Sequence, residues 1–111
     1  MINIAFIKNK KLNLYVGLEI TGHANYAPKG YDIICSAVSA LAQTFIILIG
    51  EFQINIRNTR IASGDYYIYI DMLNHYDKIL MSQNLFRGFR RAFEDISNSY
   101  QNYVKLIDKE E

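Results

Sequence analysis

The stretch D-I-I-C-S-A-V-S-A-L-A-Q-T-F-I-I-L-I-G, residues 32–50, decides the fold. Ile34, Val38, Leu41, Phe45 and Leu48 recur at spacings of three and four, the period of one helical face. Ile33, Ala37, Ala40 and Ile47 make the remaining surface apolar too, with only Gln43 and Thr44 as breaks. A helix apolar nearly all round needs cover on more than one side. In a chain of 111 residues the expected second cover is another subunit. Asp32 stands just ahead of the helix and reads as its N-cap, because a short carboxylate accepts a bond from a free first-turn amide.

Working outward from this helix, the period drops to two. In residues 12–20, Leu12, Leu14, Val16, Leu18 and Ile20 alternate with Asn13, Tyr15, Gly17 and Glu19, the pattern of a half-buried strand. Residues 2–8 carry the same alternation in Ile2, Ile4 and Phe6, and the polar Lys8-Asn9-Lys10 between the two segments predicts a hairpin. Downstream, Phe52, Ile54 and Ile56 alternate with Gln53, Asn55 and Arg57; Ser63-Gly64-Asp65 reads as a turn; Tyr66, Ile68 and Ile70 then face one way and Tyr67, Tyr69 and Asp71 the other. A last helix is predicted over 77–97, with Ile79, Phe86, Phe89, Phe93 and Ile96 as its stripe and Arg87, Arg90, Arg91 and Glu94 on its outer side. The tail Tyr103-Val104-Lys105-Leu106-Ile107 adds a short extended segment. The expected architecture is α+β: a two-layer ββαββα arrangement, an antiparallel sheet packed against two helices, as one domain over residues 1–111.

Net charge +1 gives no electrostatic reason to expect nucleic acid or a membrane surface. Cys35 is the only cysteine, so no internal disulfide can form and a reducing cytoplasm is the expected compartment. One cysteine with two histidines is too few for a structural zinc site, and no cofactor is expected. The first residues lack the order of a signal peptide, and the longest uninterrupted apolar run, Phe45 to Ile49, is far short of the roughly 20 residues of a membrane span.

The chemistry concentrates in residues 21–41. Gly22, Pro28 and Gly30 mark residues 22–31 as a loop, expected to be mobile because nothing apolar anchors its middle. His23 lies in that loop, twelve residues before Cys35. If Asp32 is the cap, Cys35 is the third helical residue, where free amides and the helix dipole favour an anion and thus a thiolate. A loop hinged on glycine could bring His23 to the sulfur, and a Cys/His pair is the minimum apparatus of thiol-based acyl transfer. The same first-turn amides, that of Cys35 included, would face a tetrahedral oxyanion. Against this stands a packed cysteine with an incidental histidine, since free cysteine behaves as a small hydrophobe. Asp32 reads either as a plain cap or as a group that orients His23 or the loop. Ser39, one turn beyond Cys35 on the same face, either serves the site or bonds its own backbone. His75 reads as a surface residue. Arg87, Arg90 and Arg91, with Lys8, Lys10 and Lys11, read as a solvated face or as an RNA contact.

The window G-H-A at 22–24, a short loop ending in Gly30, then D-I-I-C-S-A-V-S-A-L, resembles the signature of the ribosomal-processing cysteine protease family, Prp. The resemblance implies a cytoplasmic homodimer that removes the N-terminal extension of large-subunit ribosomal protein number twenty-seven. It implies Cys35 as nucleophile and His23 as base, with Gly22, Gly30, Asp32 and Ser39 shaping the site. For such an enzyme the peptide substrate is expected to lie along the loop and helix start, with addition to a sheet edge as one way to hold it, and the near-neutral charge leaves neither membrane nor nucleic acid as an expected direct partner. Pro28 and Tyr31 make this loop stiffer and bulkier than a glycine-rich one. The alternatives are the same protease acting on a phage capsid or scaffold protein, a non-catalytic ribosome- or RNA-binding module, and a thiol redox sensor.

Overall fold

Alternating apolar residues lay down a sheet, and one nearly all-apolar helix and one amphipathic helix cover one of its faces. The computed structural model describes residues 1–28 and 32–111. Its elements are β1 (Ile2–Asn9), β2 (Leu14–Thr21), α1 (Ile33–Glu51), β3 (Ile56–Ala62), β4 (Asp65–Ile70), α2 (Tyr76–Ser99) and β5 (Val104–Glu110). The sheet order is β3-β4-β2-β1-β5. Every neighbouring pair is antiparallel except β1 with β5, which run parallel, Ile2 opposite Val104 through Lys8 opposite Glu110. The two-layer α+β arrangement therefore stands, and the tail turns it into ββαββαβ with a mixed sheet.

The core lies between the sheet and the two helices. Ile4, Phe6, Leu18, Ile68 and Ile70 from the strands meet Ile34, Phe45 and Ile49 of α1 and Phe86 and Phe93 of α2, all sealed from solvent. Phe45 and Phe86 approach with ring centroids 5.1 Å apart, and Phe6 and Phe86 at 6.5 Å, edge to face. Gln83 of α2 is buried without penalty because it imitates a strand: its Oε1 accepts the Tyr15 N–H at 2.7 Å and its Nε2 donates to the Tyr15 carbonyl at 2.8 Å.

Three readings of the sequence are corrected. The alternation of residues 12–20 is broken by a bulge: Ile7 faces Gly17 but Lys8 faces Tyr15, which leaves Val16 as the extra residue. Val16 consequently joins Ala5 and Ile7 on the face away from the helices, while Tyr15 turns inward and stacks on Phe86; Leu12 is exposed in the turn. Phe52 and Ile54 belong to no strand. Phe52 caps α1, Gln53 takes φ 56°, the Ile54 N–H bonds the Ile49 carbonyl and the Gln53 N–H that of Gly50, a Schellman ending that buries Ile54 against the core. Finally, α1 taken whole is long and apolar enough, by length and composition alone, to cross a membrane, although no single run in it is. Its small residues Ser36, Ala37, Ser39 and Ala40 separate the large ones without adding charge. Its inner side is core, and its outer side leaves Ile33 and Ile47 57% and 59% exposed.

Candidate active site

The site is assembled where α1 begins. Asp32 is the N-cap: its Oδ1 accepts the N–H groups of Ile34 (3.1 Å) and Cys35 (2.9 Å), and its Oδ2 accepts that of Tyr26 (3.1 Å). The Cys35 amide bond, followed by that of Tyr26, the Cys35 side chain and the Ile34 amide, holds the Asp32 carboxyl below its usual value against the opposing effect of burial. Asp32 is thus both a cap and the tie between the loop and the helix.

That tie is one of several. Ala24 is buried, and the Tyr26 ring packs edge-on against Tyr103 and Tyr100, at 5.1 and 6.3 Å between centroids. The first half of the loop does have apolar anchors, contrary to the sequence expectation; Lys29, Gly30 and Tyr31, the part of the expected mobile loop that includes a candidate site residue, lie outside the described residues.

Cys35 is half-buried, and its Sγ accepts the Ala24 N–H at 3.5 Å. His23 is exposed, its ring resting on the β3–β4 turn. Gly64 in that turn has φ +75°, and a Cβ added to it would lie 2.5 Å from His23 Nε2, so the ring occupies the space a side chain would fill. Gly22 is fixed by the same turn, donating its N–H to the Gly64 carbonyl at 3.0 Å; its φ is +88°, and a Cβ there would meet the Met1 carbonyl oxygen at 2.2 Å. His23, Cys35, Gly22 and Ser39 line one cavity of about 340 Å3. Ile2, Ile20, Val38 and Ala42 contribute apolar surface to it, Ile61 to Tyr66 contribute from the turn, and Gln43 and Ser39 are solvent-exposed on its helix side. Tyr66 is anchored by donating its hydroxyl to the Ala42 carbonyl at 2.8 Å, and burial pushes that phenol up.

The structure therefore brings together four of the six residues singled out by sequence, Gly22, His23, Cys35 and Ser39, with Asp32 bonded directly behind them. It also redirects one expectation: the Ile34 and Cys35 amides are already taken by Asp32 and are not free for an oxyanion. Sequence reasoning missed Gly64, read only as a turn; its closeness to His23 is a long-range contact with no local signal. Elsewhere, Arg90 pairs with Asp108 and Glu94 and Arg91 with Asp95, so two of the three arginines on the outer face of α2 are paired within the chain, while Arg87 bonds only the neutral Asn84. Among the described residues no cluster of three His, Cys, Asp or Glu could hold a metal ion.

Fold and site define a small α+β protein with a thiol at a helix start and an imidazole in the same cavity. The sequence model of the family described as Cysteine protease Prp matches residues 1–105, and the chain belongs to that family. Among solved structures it is similar to the ribosomal processing protease Prp of S. aureus with a covalently linked product peptide, at TM-score 0.83 and 18% identity, covering 97% of this chain and 99% of that one. The same S. aureus protease with a substrate peptide gives TM-score 0.78 and 16% identity over the same shares. A Streptococcus mutans protein gives 0.79 and 23%, covering 100% and 96%. Among curated proteins, none matches the chain.

Proposed function

We propose that the chain is a cytoplasmic cysteine endopeptidase that removes the N-terminal extension of large-subunit ribosomal protein number twenty-seven. The observation that carries this reading is the cavity shared by Cys35 and His23, in a chain of the Prp family whose S. aureus relative is described with a covalently linked product peptide. In the proposed reaction the Cys35 thiol gives its proton to His23 and the resulting thiolate attacks the scissile carbonyl; a C–S bond forms and the carbonyl electrons move to oxygen. Collapse breaks the C–N bond, and His23 protonates the leaving amine. Water, losing a proton to His23, then hydrolyses the thioester and frees the sulfur. Because Asp32 consumes the Ile34 and Cys35 amides, the oxyanion falls to the Ala24 N–H, the donor already directed at the sulfur.

The functional unit is proposed to be a homodimer. Supporting this, among the described residues α1 leaves Ile33, Ala37, Ala40 and Ile47 exposed, an apolar outer side. The test of function is incubation of the purified protein with the full-length ribosomal precursor from the same genome, read by fragment masses. One cut that yields the mature N-terminus supports the reading, and an intact precursor overturns it.

A further inference from the structure

A substrate that presents a peptide bond to Cys35 must run an extended backbone past the sulfur, and extended backbone is best held by an open sheet edge. The sheet has two edges, β3 and β5. Only β3 leads to the cavity: Ile61, Ala62, Ser63 and Gly64 line the space that holds Cys35 and His23, whereas no residue of β5 does. All seven residues of β3 are exposed, while β5 is partly covered, with Val104 buried and Asp108 drawn into an ion pair with Arg90 of α2. Alternate residues of an edge strand direct N–H and C=O away from the sheet, and among the described residues β3 has no backbone hydrogen bonds except to β4.

Edge strands are commonly guarded by outward cations. Here both are turned back onto the protein: Arg60 Nε lies 2.7 Å from Asp65 Oδ2, and Arg57 lies 2.9 Å from Glu111 with its guanidinium 4.9 Å from the Tyr69 ring centre. Ile61, a cavity-lining apolar side chain, is 60% exposed among the described residues.

We propose that β3 is the docking edge for the peptide substrate. The segment on one side of the scissile bond adds as a sixth strand beside β3, Ile61 meets one of its side chains, and the reacting carbonyl is delivered at the Ser63–Gly64 end. Beyond the bulge at Arg57 the regular part of the strand, Asn58 to Ala62, offers roughly 17 Å of edge, enough for about five substrate residues. This rests on the protease reading above and adds to it the surface that selects an extended, unfolded segment over a folded one.

Two measurements test it with the extension peptide of the ribosomal precursor. In Cys35→Ala mixed with the peptide, hydrogen exchange of the outward amides of β3 slows while that of β5 is unchanged. With the active protein, N-methylating the peptide one residue at a time lowers kcat/KM roughly tenfold at every second position on one side of the cut. If the active protein cleaves the peptide but protection falls on β5 or on no strand, or the N-methyl effects have no alternation, edge docking is wrong and the protease reading survives. If the active protein does not cleave the peptide at all, the protease reading fails and this inference fails with it.

Discussion

Replacing Gly64 by alanine separates the role of the β3–β4 turn from its stability. The new methyl would lie 2.5 Å from His23 Nε2, 3.0 Å from Cε1 and 3.2 Å from Cδ2. Ordinary contact needs about 3.5 Å, so the ring must retreat by roughly 1 Å, a misplacement that can cost about a hundredfold in rate. The φ of +75° adds a separate cost, about 1–2 kcal/mol for an L-residue held in the left-handed region. Gly64→Ala should therefore lower the urea-unfolding free energy by about 1–2 kcal/mol and kcat by about a hundredfold, with KM for the extension peptide little changed. Gly64→Asn divides the two effects. Asparagine tolerates the left-handed region, so most of the stability returns, but its Cβ still displaces the imidazole, so kcat stays low. Wild-type kcat in either variant would refute the claim that the turn sets the position of His23.

Four further outcomes follow from the same structure. Cys35→Ala should abolish cleavage while leaving the thermal midpoint near wild type, and Cys35→Ser should lose most of the rate because a hydroxyl is a weaker nucleophile at neutral pH; peptide turnover with circular-dichroism melting checks both. Gln83→Leu strips the Tyr15 N–H and C=O of their buried partners and should cost about 1–3 kcal/mol in urea unfolding. Ile47→Lys, on the open side of α1, should convert the proposed dimer to a monomer by light scattering without unfolding it. Asp32 is held below its usual value of 3.8 when folded, so the unfolded chain binds the proton first as pH falls; its contribution is complete above that value and is lost as pH drops through the folded-state pKa. Asp32→Asn, which keeps a capping side chain, should flatten the acid limb of the urea midpoint against pH.

What could be read from the residues was whatever depends on neighbours in sequence. The Asp32 cap, the inward Tyr66, Ile68 and Ile70, and Ile34, Val38 and Phe45 of the α1 stripe follow from local period and local bonding and are found; the buried line of α1 runs on through Ala42 and Ile49, with the expected Leu41 and Leu48 half-buried beside it. The strand misread at Phe52 and Ile54 failed for a local reason as well: a Schellman ending places an apolar residue two beyond the cap, and without a glycine to mark it the pattern imitates alternation. The bulge at Val16 is invisible because one extra residue leaves the local pattern apparently intact while turning Val16 outward and Tyr15 inward. The parallel seat of β5 beside β1, the anchoring of Tyr26 on Tyr103 and the nesting of His23 on Gly64 join distant segments, and a single sequence carries no period for them. The site was legible to the extent that Gly22, His23, Cys35 and Ser39 do share a cavity. The oxyanion donors were not, because the amides counted as free are occupied by the cap itself.

The covalent step is the most direct point of test. The protein is mixed with the extension peptide, quenched with acid during turnover, and its intact mass and modified residue are determined. The account predicts a thioester of the N-terminal fragment on Cys35, absent from Cys35→Ala, which also yields no product. Product formed by Cys35→Ala, or turnover whose acyl group is carried by any other residue, would contradict it.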